Sequence, residues 1–79
     1  MTKKEITQHL TTAMVDFYCD YLDAREGDYT EETKKEFYHD MRTAITAIAY
    51  AAKLLGVQVP KLDQIYRLAY VKLQQQQAS

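Results

Sequence analysis

The strongest constraint on this chain is a punctuated junction within Thr43 to Leu73, TAITAIAYAAKLLGVQVPKLDQIYRLAYVKL. Apolar residues recur there at helical spacing, stop at Gly56 and resume after Pro60. A glycine just past a periodic run accepts the left-handed conformation that ends a helix, and Val57 behind it is placed to fold back toward Ala52. Pro60 lacks a backbone N–H, which is harmless in a first helical turn, and Asp63 adds negative charge where the next helix presents its positive end. A packed hairpin of two apolar helices joined by a short connection is expected. No reacting group in this stretch is placed as catalysis would need.

Upstream, Ile6, Leu10, Ala13, Met14, Phe17, Tyr21 and Ala24 share one helical face. Val15, Tyr18 and Leu22 widen that arc beyond what one neighbour covers. Glu5, His9, Thr12, Asp16, Asp20 and Asp23 form an acidic strip opposite. Gly27 and Asp28 interrupt the pattern, and Thr30 offers a hydroxyl cap to a second helix with Glu31 and Glu32 in its first turn. The core face of that helix reads Phe37, Met41, Ala44, Ile45, Ile48, Ala51, Ala52 and Leu55, and its polar side carries Lys35, His39, Arg42, Thr46 and Lys53. A third helix presents Leu62, Ile65, Tyr66, Ala69 and Leu73, with Leu68 and Val71 pointing elsewhere. The expected architecture is all-α: a single domain over residues 1–79, a three-helix bundle with helices near 3–26, 31–55 and 61–74, and a frayed tail over 75–79. The first two helices are long and antiparallel, the third is shorter, and the assembly is expected to be oligomeric.

The run LLGVQVPKLDQIYRLAYVKL, residues 54–73, resembles the end of the carboxy-terminal helical domain of the ketopantoate reductase family. There a helix ends in glycine and an aliphatic residue, followed by proline and a helix with an aromatic and leucines. The matching positions are Gly56, Val57, Pro60, Ile65, Tyr66 and Leu68. The resemblance implies a helical hairpin and no reductase activity. That family's nucleotide-binding domain needs a glycine-rich turn, whereas this chain has only Gly27 and Gly56, and the family's catalytic lysine lies outside the matching run.

With 47% hydrophobic and 27% charged residues the chain has a globular composition, and at 79 residues it holds one domain. Chains this short bury only roughly 60% of the surface exposed on unfolding, so the core is marginal and gains from association. The single cysteine, Cys19, cannot pair within the chain, which points to a reducing, cytoplasmic setting or an intermolecular contact; a buried inert thiol is expected over a reactive one. The first fourteen residues are too polar for a signal peptide and no apolar run is long enough for a membrane span, so no membrane contact is expected. A net charge of -1 argues against nucleic-acid binding by the whole chain.

Several side-chain groupings carry sharper chemistry. Asp16, Asp20 and Asp23 could offer oxygen ligands to magnesium, as in helical nucleotide hydrolases, yet such sites draw carboxylates from a second facing helix. His9 and His39 lack a zinc-ligand spacing, and no orienting group or oxyanion turn accompanies Cys19. Lys35, His39, Arg42 and Lys53 bordered by Tyr38 and Tyr50 suggest phosphate contact with stacking, or simply a solvated strip that pairs with the acidic one. Seven tyrosines without a tryptophan are the unusual component, because tyrosine supplies large contact area with a polar tip. The resulting expectation is a small accessory protein of bacterial or phage type that binds a protein partner or itself through Tyr18, Leu22, Leu68, Tyr70 and Val71. Self-association is expected through the spare apolar side of the first and third helices. No catalytic residue, cofactor or metal is expected. The alternative is a metal-dependent hydrolase or ligand-binding domain on the aspartate strip.

Overall fold

A computed structural model describes residues 1–78. The chain is an all-α three-helix bundle: α1 spans Lys3–Arg25, α2 Glu31–Leu55 and α3 Leu62–Ala78. Each boundary has a local cause. Thr2 caps α1 by accepting from the Glu5 amide at 3.2 Å, while the Glu5 carboxylate accepts from the Thr2 amide at 3.2 Å, a reciprocal box. Thr30 accepts from the Thr33 amide at 3.1 Å and starts α2. Gly56, at φ 72°, ends it in the left-handed region that favours glycine. The Val57 amide reaches back to the Ala52 carbonyl at 3.0 Å and the Gly56 amide to Lys53 at 3.2 Å, with Val57 and Ala52 both buried.

The capping box titrates. The Thr2 amide and hydroxyl hold the Glu5 carboxyl below its ordinary range. A depressed carboxylate pKa stabilises the fold above the unfolded value of about 4.5, and that contribution disappears as pH falls through the folded value. The protection of the first-turn amides of α1, measured relative to their intrinsic exchange rate at each pH, is therefore expected to fall on acidification below this range. In Glu5→Gln, whose side-chain carbonyl still accepts from Thr2, the dependence should vanish. An unchanged acid response in that variant would show that the box is not its source.

α1 lies between the other two helices, and within the described residues α2 and α3 pack on α1 but not on each other. Its Lys3 ammonium lies near Gly56 and its Tyr21 meets Tyr38, so α1 begins where α2 ends. The central position explains the wide apolar arc of α1. Met14, Val15, Cys19 and Leu22 join Met41 and Ile45 from α2 and Ile65, Ala69 and Leu73 from α3 in one core. Every large side chain sealed completely, namely Met14, Leu22 and Ile65, lies on α1 or α3.

Six expectations are corrected. The α2–α3 hairpin is not packed, because both helices lie on α1 and not on each other. Tyr66, read on the core face of α3, is exposed and meets Tyr18 at the edge of the core. Leu22, read as a surface residue, is only 1% exposed, because a helix with two neighbours turns an arc rather than a stripe inward. Phe17, read as core, is exposed for the same reason: the buried arc is rotated toward Val15 and Cys19. Leu55, in the last turn of α2, is also exposed. Finally, α3 continues through the glutamine run to Ala78 instead of fraying after residue 74. Glutamine is a good helix former, and the Cys19 thiol donates to Gln76 across the α1–α3 contact at 3.8 Å. Ser79 lies outside the described residues.

Candidate interaction surfaces

Five tyrosines form a continuous row across all three helices. Tyr70 and Tyr66 on α3 have ring centres 6.2 Å apart, Tyr66 and Tyr18 5.6 Å, Tyr18 and Tyr21 6.0 Å, and Tyr21 and Tyr38 on α2 5.2 Å. Their planes meet at steep or tilted angles, the arrangement that aromatic quadrupoles favour. Helical spacing supplies the pairs within each helix: residues 18 and 21 on α1, and 66 and 70 on α3, are neighbours on their surfaces. The junctions between helices come from α1 standing in the middle. Tyr18 and Tyr21 are half-buried, whereas Tyr38, Tyr66 and Tyr70 remain exposed. Burial, with smaller contributions from neighbouring phenols, pushes the Tyr18 hydroxyl up and keeps it protonated at neutral pH.

Cations border the α1–α2 end of the row. The Arg25 guanidinium stands 5.9 Å from the centre of the Tyr21 ring, and Arg42 donates to the Tyr38 hydroxyl at 3.3 Å. Lys34 and Lys35 line the same hollow as Tyr21, Arg25 and Tyr38, with Lys34 3.9 Å from Glu31. The rings cover one another's faces, so the row is a packed aromatic surface and not an open stack for nucleobases.

The expected contact residues divide among three places. Tyr18 and Tyr70 belong to the row, and Leu22 is in the core. Leu68 and Val71, both about half exposed, lie on the opposite flank of α3. There they line a shallow groove with Thr11, Thr12 and Val15 of α1. Sequence spacing had shown that these residues leave the core face of α3, but not that α1 would separate them from the tyrosines.

Among the described residues no ion pair joins the acidic strip to the basic strip of α2. Asp16 instead pairs with Lys72 of α3, a contact that raises the lysine's pKa through the hydrogen bond to Asp16. Asp20 and Asp23 are exposed, and among the described residues no three His, Cys, Asp or Glu side chains converge enough to share a metal ion. Cys19 is buried at the α1–α3 contact, and burial pushes its thiol pKa up, the opposite of what a nucleophile requires. No helix among the described residues is long and apolar enough to cross a membrane.

A third surface was missed in the sequence. Tyr50 is 64% and Leu54 70% exposed, together with Leu55 on the last two turns of α2. The signal was present: Ala47, Tyr50 and Leu54 are spaced three and four apart, on the side of α2 nearly opposite the core-facing residues Met41, Ile45, Ile48 and Ala52. The alanine-rich core face dominated the reading of α2 and hid it. Compared with known proteins, the chain matches no family model, no curated protein and no solved structure.

Proposed function

We propose that the protein is a non-enzymatic interaction module that binds a polypeptide partner through the tyrosine row, with Tyr66 and Tyr70 as exposed anchors and Tyr18 as their support. The observation that carries this reading is the row itself, five phenols in mutual contact across three helices. Tyrosine buries much area while losing little side-chain freedom, and rings already fixed by their neighbours lose less still on binding. Arg25, Lys34, Lys35 and Arg42 favour a partner whose rim carries carboxylates, setting orientation and encounter rate more than affinity. Leu68 and Val71 form a secondary contact for a partner long enough to wrap α3. The likeness to the ketopantoate reductase domain implied a packed hairpin of α2 and α3; since both helices lie on α1 and not on each other, it carries no part of this reading. The setting we assign is cytoplasmic, in keeping with a single reduced cysteine.

Capture from the native cell with mass-spectrometric identification tests this reading. The wild-type chain is expected to retain a defined polypeptide, and Tyr66→Ser with Tyr70→Ser to lose it by at least ~30-fold in affinity with helicity unchanged. Leu68→Ser should weaken capture only slightly. Full retention by the double tyrosine variant would remove the row as the binding surface.

A further inference from the structure

We infer that the hollow between the end of α1 and the first turns of α2 is a binding site for a phosphate monoester, held by Arg25, Lys34 and Lys35 with the Tyr38 hydroxyl. The site adjoins the tyrosine row but takes its ligand without the row's polypeptide partner. Tyr21 and Arg25 of α1 and Glu31, Lys34, Lys35 and Tyr38 of α2 line it. Each set shares one helical face, since 21 and 25 are four apart and 31, 34, 35 and 38 follow the three-and-four spacing. The donors are placed before any ligand arrives. Arg25 is drawn to the Tyr21 ring at 5.9 Å, and Lys34 has only 22% of its side chain exposed. Arg42, in the neighbouring hollow with His39, Thr43 and Thr46, donates to the Tyr38 hydroxyl at 3.3 Å and so leaves the phenolic hydrogen free to donate. Groups held in this way lose little further freedom on binding.

Charge names the ligand class. Residues 16–42 hold nine carboxylates against four Lys and Arg side chains, yet all four cations stand at this hollow or against its Tyr38 wall. Among the described residues Glu31 is the one carboxylate that lines it. Asp20, Asp23, Glu36 and Asp40 lie on other sides of their helices, and Glu32 stands on the far side of Lys35. Glu26 and Asp28 are exposed in the connection, and Asp16 is paired with Lys72. Glu31 comes no closer to Lys34 than 3.9 Å and its side chain is 89% exposed, so that pair neutralises little. No ion pair among the described residues engages Arg25 or Lys35. Three cations against one carboxylate leave two positive charges, close to the complement of a phosphate monoester at neutral pH. A carboxylate would occupy one of these cations and offer oxygens in a single plane. A phosphoryl group offers three acceptor oxygens in different directions, which suits donors arriving from two helices. A free ester and a phosphorylated side chain of a polypeptide both present that group.

Titration of the full chain with inorganic phosphate at low ionic strength, followed by nuclear magnetic resonance of amides and arginine side chains, reads the site directly. Saturable shifts at Arg25, Lys34, Lys35 and Tyr38 are expected, with a dissociation constant of about 1–5 mM, and acetate at matched ionic strength should bind at least ~10-fold more weakly. Arg25→Gln and Lys34→Gln should each weaken phosphate about fivefold while far-ultraviolet circular dichroism stays unchanged. Glu31→Gln should strengthen it about threefold, and Lys61→Gln, in the connection between α2 and α3, should leave it within about 1.5-fold. A capped phosphoserine peptide separates the two carriers: affinity above that of phosphate marks a phosphorylated side chain, and affinity equal to or below it marks a free ester. No saturation by about 50 mM phosphate, shifts spread evenly to Lys3, Lys61 and Lys72, equal affinity for acetate, or equal losses in Lys61→Gln and Lys34→Gln would each overturn the proposal. None of these outcomes bears on the polypeptide bound by the row.

Discussion

Leu22→Ala is expected to cost about 2–5 kcal/mol of folding stability, and Leu68→Ala no more than about 0.5 kcal/mol, in paired urea titrations monitored by circular dichroism. The two residues have the same chemistry and opposite surroundings. Leu22 is among the completely buried side chains and shares the core with residues of all three helices, so truncating it leaves a cavity that rigid neighbours fill only in part. Leu68 faces the open groove, and water replaces what it loses. The difference is large against the whole. A chain of 79 residues has a net stability of about 4–12 kcal/mol at ordinary values per residue, so the first substitution removes a large share of it and lowers the urea midpoint in proportion. Equal effects of the two variants would mean that Leu22 is not sealed in the core.

That pair also shows where the sequence was legible and where it was not. Two helix ends were readable because their causes are local: Thr30, Gly56 and Val57 act through neighbours a few positions away and sit at the ends they signal, whereas Pro60, expected in the first turn of α3, lies two residues before it. Periodicity likewise placed Met41, Ile45, Ile65 and Ala69 inside. What periodicity could not supply was the number of neighbours each helix meets. Tyr18 and Leu22 both stand beside the main stripe of α1, and only the arrival of α2 on one side and α3 on the other decides that Leu22 is sealed and Tyr18 half open. Leu68 and Tyr70 are two positions apart in sequence, which in a helix turns them to different flanks. The tyrosine row is a still more distant property, since its junctions join residues 18 and 66, and 21 and 38, across separate helices. The glutamine run was misread for a related reason. A polar repeat reads as unpartnered unless the cysteine that meets Gln76 is known to lie opposite it.

Ala69→Asp is expected to undock α3 while α1 and α2 stay paired. Ala69 is fully buried where α3 meets α1, and an aspartate there has neither space nor a partner for its charge; both overpacking and the uncompensated carboxylate oppose docking. Because α3 packs on α1 alone, nothing from α2 holds it once that contact fails. Cys19 is the reporter, since its thiol is buried under α3 and bonded to Gln76. In the wild type, alkylation at neutral pH should be slow, limited both by burial and by a thiol pKa raised through that burial. In the variant it should approach the rate of an open thiol, and amide protection over residues 62–78 should collapse while the middle of α1 and of α2 keeps part of its own. Loss of protection across all three helices together would make α3 an inseparable part of one cooperative unit. If alkylation stayed slow with α3 protected, α3 would not owe its place to this contact.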